Sequence, residues 1–175
     1  MTAYPRTTKA KYIFDTSPSI ILLEKCQLRS QLLSFAENSA LCVPYRVMEE
    51  YAKGDKENSK PNLSVFREVF SPIRAELDSE LLPFFNYDAS SGEIWVISYA
   101  HLHPEYYCVI DETFGRNICN LMNIKLTGTI GIINEMKLGG ILNIKDLKSI
   151  RNTIKASGFY LSKELLQKLD LICQS

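Results

Sequence analysis

Long apolar runs are missing from this 175-residue chain. The longest, Ser19 to Leu23 and Ile94 to Ala100, fall well short of the ~20 residues that span a bilayer. The polar stretch Met1 to Lys11 has no apolar signal-peptide segment, so neither membrane insertion nor export is expected. Net charge is missing as well. Twenty basic residues balance twenty acidic ones, which excludes the broad basic footprint of a protein that coats nucleic acid. An enzyme that meets phosphate through bound metal remains compatible with that balance. Cysteine pairing is absent too: Cys26, Cys42, Cys108, Cys119 and Cys173 are scattered, odd in number and form no C-x-x-C. Neither a zinc site nor a disulfide framework is expected, and a reducing cytoplasm fits best. The chain also lacks a G-x-S-x-G nucleophile elbow, a Walker A loop and a G-x-G-x-x-G fingerprint. Gly128-Thr-Ile-Gly131 is too short a phosphate-binding signal and reads as tight strand-to-helix turning.

What remains is enough for one core. Hydrophobic residues make up 46% of the chain and aromatics 10%, which suits a single folded domain of this length. Residues 1–10 read as a loose N-terminal arm and 11–175 as one domain. Lys11 to Phe14 is a β-prone run, and Thr16-Ser17-Pro18 opens a helix. Helical patterning returns at Leu32 to Glu37, and a buried strand follows at Ala40 to Val43. Pro44 starts a helix over Tyr45 to Lys53. Residues 54–62 form a charged loop that leads into one long helix from Leu63 to about Leu82. An irregular stretch, Pro83 to Ala89, precedes a helix from Ser91 to about His101. The strand Tyr106 to Ile110, the helix Phe114 to Met122 and a short strand Ile124 to Leu126 come next. Thr129 to Leu138 is a helix stopped by Gly139-Gly140. Two more helices, Asp146 to Ala156 and Ser162 to Cys173, flank Gly158-Phe159. Strands alternating with helices predict a mainly parallel sheet covered on both faces.

Two strands end in acids, Phe14 running into Asp15 and Ile110 into Asp111-Glu112. Functional groups of open α/β sheets gather beyond the carboxyl ends of the strands. If the two strands are neighbours, Asp15 and Asp111 share a crevice, and their repulsion invites a hard cation such as Mg²⁺ or Mn²⁺. An Asp between strand and helix is also a common N-cap. Ser90-Ser-Gly-Glu93 has the form of a capping box, which accounts for Glu93 without chemistry. Glu49 and Glu50 share a short helix, and periodicity does not decide which turns inward. Arg116, one turn beyond Glu112, suits either a pair with Glu112 or a phosphate. His101-Leu-His103 before Pro104 reads as a helix end rather than a metal pair.

Taken in order, these pieces resemble the PIN-domain ribonucleases, in particular a bacterial and archaeal PIN-like group long catalogued as of unknown function. The matching stretches run from about residue 11 to 170. They are Phe14-Asp15-Thr-Ser-Pro18, Val43-Pro44 with Val47-Met-Glu-Glu50, and Ser91-Gly92-Glu93 with Ile97 and Ala100. Val109-Ile-Asp111-Glu112 with Gly115-Arg116 follows, then Leu126-Thr-Gly128-Thr-Ile-Gly131 with Lys137-Leu-Gly139. Ser157-Gly158-Phe159 with Leu161-Ser162 closes the set. The resemblance implies a three-layer α/β/α fold with a central, mainly parallel sheet. It implies an acidic site that binds Mg²⁺ or Mn²⁺ and cuts phosphodiester bonds, usually in RNA, leaving a 5′-phosphate and a 3′-hydroxyl.

Carried over residue by residue, the family's four acids fall on Asp15, Glu50, Glu93 and Asp111, with Glu112 as an accessory ligand. Ser17 falls on a hydroxyl position that supports the first acid, and Arg116 on the arginine after the acidic pair. Glu93 and Glu112 stand where Asp is frequent in the family, so metal spacing differs by about a C–C bond. Lys53, Lys125, Lys137 and Arg116 are candidate phosphate contacts. The resemblance further implies a VapC-type toxin of a toxin–antitoxin pair, homodimeric and silenced by a small antitoxin. A PIN-fold interaction module with little nuclease activity, or a nuclease acting on DNA, are the competing expectations.

Overall fold

Five short strands carry the centre of the computed structural model, which describes residues 9–54, 61–158 and 163–174. The N-terminal arm through residue 8, most of the charged loop at 55–60 and the Phe159 to Ser162 junction lie outside the described residues. The strands are β1 (Ala10–Phe14), β2 (Ser39–Pro44), β3 (Ser71–Ile73), β4 (Tyr106–Val109) and β5 (Leu126–Thr127). All pair in parallel in the order β3-β2-β1-β4-β5. Helices pack on both faces, giving the expected α/β/α layering.

The sequence reasons are local. Tyr12, Ile13 and Phe14 are consecutive and all buried, as a parallel strand covered on both faces requires. Both edge strands are very short, which leaves little unpaired backbone to recruit another chain. The order reverses at β1: the chain builds outward through β2 and β3, then returns to add β4 and β5 on the other side. Beyond the carboxyl ends of β1 and β4, this reversal opens the crevice typical of such sheets.

The helices are α1 (Thr16–Ile20), α2 (Arg29–Asn38), α3 (Tyr45–Lys53), α4 (Leu63–Val69), α5 (Gly92–Leu102), α6 (Thr113–Leu121), α7 (Thr129–Leu138), α8 (Ile144–Ala156) and α9 (Lys163–Gln174). Between α1 and α2 the backbone widens into a π-helical turn, Ile21–Lys25, which lets three successive residues, Ile21, Leu22 and Leu23, all be buried. Helix α5 is buried over most of its surface, as a helix without a polar face must be. Among the described residues no helix is long and apolar enough to cross a membrane. All five cysteines are free thiols.

One long helix from Leu63 to Leu82 does not form. Helix α4 ends at Val69, and Phe70 turns extended, with φ −109° and ψ 123°. The cause is Pro72, which disfavours helical geometry before it and has no amide to donate. At the sheet edge that missing donor costs nothing, so Pro72 sits opposite Val43 in β3. Further on, Leu82–Phe85 forms a 3₁₀ turn where an irregular stretch is expected. Strand β5 covers Leu126–Thr127 rather than Ile124 to Leu126.

The segment between β3 and the 3₁₀ turn is tied down through Asp78. Its Oδ2 lies 2.5 Å from His101 Nδ1, and its amide donates to the buried Ser98 hydroxyl at 3.1 Å. Burial by itself would raise the Asp78 pKa, but the His101 and Glu80 N–H bonds hold it below the usual range. His103 instead packs on Tyr99, with ring centroids 4.2 Å apart. Both histidines thus serve the end of α5. His101→Ala should remove ~1–2 kcal/mol and lower Tm by about 3–6 °C. Calorimetry showing no change would mean that the Asp78 tie contributes nothing.

Candidate active site

Asp15 leaves the end of β1 and occupies the N-cap position of α1, yet its side chain makes no capping bond there. It is 7% exposed. Its pKa rises to about 7, chiefly through burial; the Thr16 amide opposes this, while Glu93, Glu50 and Asp111 push it further up. Four carboxylates from distant parts of the chain therefore share one field.

Glu50 on α3 spans two helix starts. Its Oε2 accepts from Thr16 Oγ1 at 2.5 Å and its Oε1 from the Gly92 amide at 2.6 Å. Both donors belong to the first residue of a helix, α1 and α5, where a negative charge is favoured. Glu49 points elsewhere, to Arg46 at 3.3 Å. Asp111, just past β4, is held by the first residue of α7: Thr129 donates from its amide at 2.8 Å and its hydroxyl at 2.5 Å. Burial lifts the Asp111 pKa, with Thr129 and Arg116 opposing. Glu112 is exposed, makes no capping bond to α6, and lies close enough to act on both Glu93 and Asp111.

Glu93 has no such partner. The expected capping box is absent, because Ser91 caps α5 and accepts from the Glu93 amide at 3.2 Å. The Glu93 carboxylate is thereby released into the cleft, where its Oε1 is buried with no hydrogen-bond partner among the described residues. Burial and the nearby Glu112 charge raise its pKa, and the Gly115 amide draws it partly back.

Three glycines make room for these side chains. A Cβ on Gly92 would lie 2.7 Å from Glu50 Oε2, one on Gly115 would lie 2.2 Å from Glu93 Oε1, and one on Gly128 would lie 2.6 Å from Asp111 Oδ1. The backbone at Gly128 is extended, with φ −151°, so its requirement is space rather than the turning expected from the sequence. Sequence reasoning missed these seats, along with Thr16 and Thr129. The available signal was a glycine or threonine next to, or shortly before, each helix start that carries or faces an acid.

Two supporting residues stand differently from expectation. Ser17 makes no hydrogen bond to an acid among the described residues; Thr16 and Thr129 do. Arg116 does not pair with Glu112. Its Nη1 donates to the carbonyls of Ile110 at 2.7 Å and Thr127 at 3.2 Å, pinning the ends of β4 and β5 beside Asp111. Lys137 donates to the Ile172 carbonyl, eight residues and ~12 Å along α7 from Thr129. Lys125 lies over the Tyr107 ring, 5.6 Å from its centroid, and Lys53 is exposed at the end of α3.

A donor set made only of carboxylate oxygens, one of them buried and unpartnered, fits a hard divalent cation. Among the described residues, no three His, Cys, Asp or Glu groups are already drawn up as a metal-ligating cluster. Donors from neighbouring elements, Thr16 and Gly92 for Glu50 and Thr129 for Asp111, hold these two acids in place, and like charge keeps the set apart. In comparisons with known proteins, a family model described as a PIN domain matches residues 11–171. No curated protein and no solved structure matches the chain.

Proposed function

The chain belongs to the PIN-domain family, and from that premise we propose that its acidic cleft is the active site of a Mg²⁺- or Mn²⁺-dependent endoribonuclease. The observation that carries the reading is Glu93 Oε1, a buried carboxylate oxygen without a hydrogen-bond donor among the described residues. Such an atom costs free energy unless a cation or proton meets it, and burial, with the neighbouring acids adding to it, already favours protonated Asp15. Asp15, Glu50, Glu93 and Asp111 would hold the ion, with Glu112 at the rim. When bound, it supplies a water of lowered pKa and charge neutralisation at the leaving oxygen.

The chain's own residues do the positioning. Thr16 and the Gly92 amide orient Glu50, and Thr129 orients Asp111, so the acids are placed before substrate arrives. The Thr16 and Thr129 hydroxyls donate to the carboxylates and fix them; in this reading the attacking group is water. With no net positive charge, recognition rests on exposed single strands or loops rather than on a bulk phosphate field. In this reading the chain is the toxin of a toxin–antitoxin pair, a homodimer held silent by a small partner.

Labelled single-stranded RNA and DNA, incubated with Mg²⁺ or Mn²⁺, test the proposal. Wild type should cut RNA, and Asp111→Asn should lose at least ~100-fold in rate, a typical cost of removing a transition-state electrostatic group. If no RNA is cut and added metal leaves Tm unmoved, the chain is an interaction module. Preferential cutting of DNA would point to repair or defence.

A further inference from the structure

A groove of about 430 Å³ opens beside Asp111, between β5, α7 and the C-terminal helix α9. That volume is in the ~300–1,000 Å³ range of small-ligand pockets. Its walls are apolar: Leu126 and Ile130 on one side, Leu165, Leu171 and Ile172 on the other. Three polar features interrupt them. Arg116 stands at the inner end next to Asp111; among the described residues only its Nη1 is committed, to carbonyls, which leaves its other N–H groups for a ligand. Lys168 lies on α9, 3.5 Å from Glu164 on the exposed side. Asn134, half-buried on α7, lines the groove with no hydrogen bond from its amide among the described residues.

An apolar slot, cations along it and one uncommitted donor–acceptor amide match the parts of a nucleotide. We propose that this groove binds the nucleotide next to the scissile phosphate, with the base between α7 and α9 and its edge read by Asn134. The inference rests on the nuclease reading of the acidic cleft, because Asp111 belongs to both. A strand whose phosphate is presented to the acids has its neighbouring nucleotide at the mouth of the groove. An asparagine amide pairs in two directions with the adjacent donor and acceptor of a base edge. Asn134 therefore confers a base preference beside the cut.

Binding of mononucleotides separates the two claims, since it requires no cleavage. Wild type, Asn134→Ala and Leu171→Trp would be titrated by calorimetry in Mg²⁺ with AMP, CMP, GMP, UMP, ribose 5-phosphate and inorganic phosphate. Leu171 is 63% exposed, so tryptophan there fills the groove without entering the core. At least one nucleotide should bind wild type about tenfold more tightly than ribose 5-phosphate, and the four bases should differ by about fivefold or more. Asn134→Ala should level the bases while leaving ribose 5-phosphate unchanged, and Leu171→Trp should weaken every nucleotide. Bases binding no better than ribose 5-phosphate would overturn the proposal, as would an unchanged ranking in Asn134→Ala. Base-selective binding by a chain that cuts no RNA would keep the groove and sink the nuclease; cutting without base-selective binding would do the reverse.

Discussion

Asp15→Asn is expected to stabilise the metal-free protein at pH 8 while abolishing phosphodiester cleavage. The folded chain holds the Asp15 proton far more tightly than the unfolded chain, with a pKa of about 7 against 3.8. Below both values the proton is bound in either state and the folded state keeps its full stability. As pH rises from 3.8 through 7, the unfolded chain has lost the proton and the folded chain has not, so stability falls. Above pH 7 an ionised, buried Asp15 remains as a penalty of up to ~4 kcal/mol, at about 1.4 kcal/mol per tenfold change in proton affinity.

An asparagine carries no charge but brings an amide that also needs partners, which reduces the gain to ~2 kcal/mol. Tm should then rise by about 5 °C at pH 8 and hardly at all at pH 4. Mg²⁺ should stabilise wild type and leave the variant unmoved. A variant that melts lower than wild type at both pH values would show that the Asp15 charge is not what strains the cleft.

Gly115→Ala should separate catalysis from folding in the opposite sense to an ordinary core defect. Gly115 lies inside α6, where alanine favours the helix by up to ~1 kcal/mol. Its Cβ would fall 2.2 Å from Glu93 Oε1, 2.9 Å from Cδ and 3.2 Å from Cγ; the first two are closer than a Cβ can come, so something must shift. Glu93 can move, because the atoms met are those of a flexible side chain; the backbone need not. The fold should survive with Tm unchanged or slightly higher, while cleavage falls by at least ~100-fold. Gly140 provides the contrast. It adopts φ +71° with open space around it, so Gly140→Ala should cost ~1 kcal/mol of stability and leave cleavage intact. Equal loss of activity in both variants would refute the idea that Gly115 is there to seat Glu93.

Much of the fold is legible because its signals are local. A β-prone run, an acid and a helix opener in succession mark the ends of β1 and β4, and alternation of strands with helices marks the parallel sheet. Strand β3 stays hidden: three residues around a proline carry no periodicity, and only the edge position makes them a strand. The choice between Glu49 and Glu50 is equally closed to periodicity, since neighbouring residues of one short helix diverge only once Gly92 and Thr16 arrive from elsewhere. For Glu93 the local signal misleads. A serine three residues earlier invites a capping box, but the adjacent Ser91 takes the cap, and only the tertiary structure reveals a buried Oε1 with no hydrogen bond among the described residues.

The reversal of strand order at β1 bears on how the chain comes into being. Asp15 and Glu50 emerge early from the ribosome, but Asp111 reaches them only after β4 has threaded in beside β1, and it is secured only by Thr129. A nascent polypeptide shorter than that contains the first three acids and no completed cleft. The acidic cleft is consequently a late product of synthesis, complete only when most of the sequence has been made.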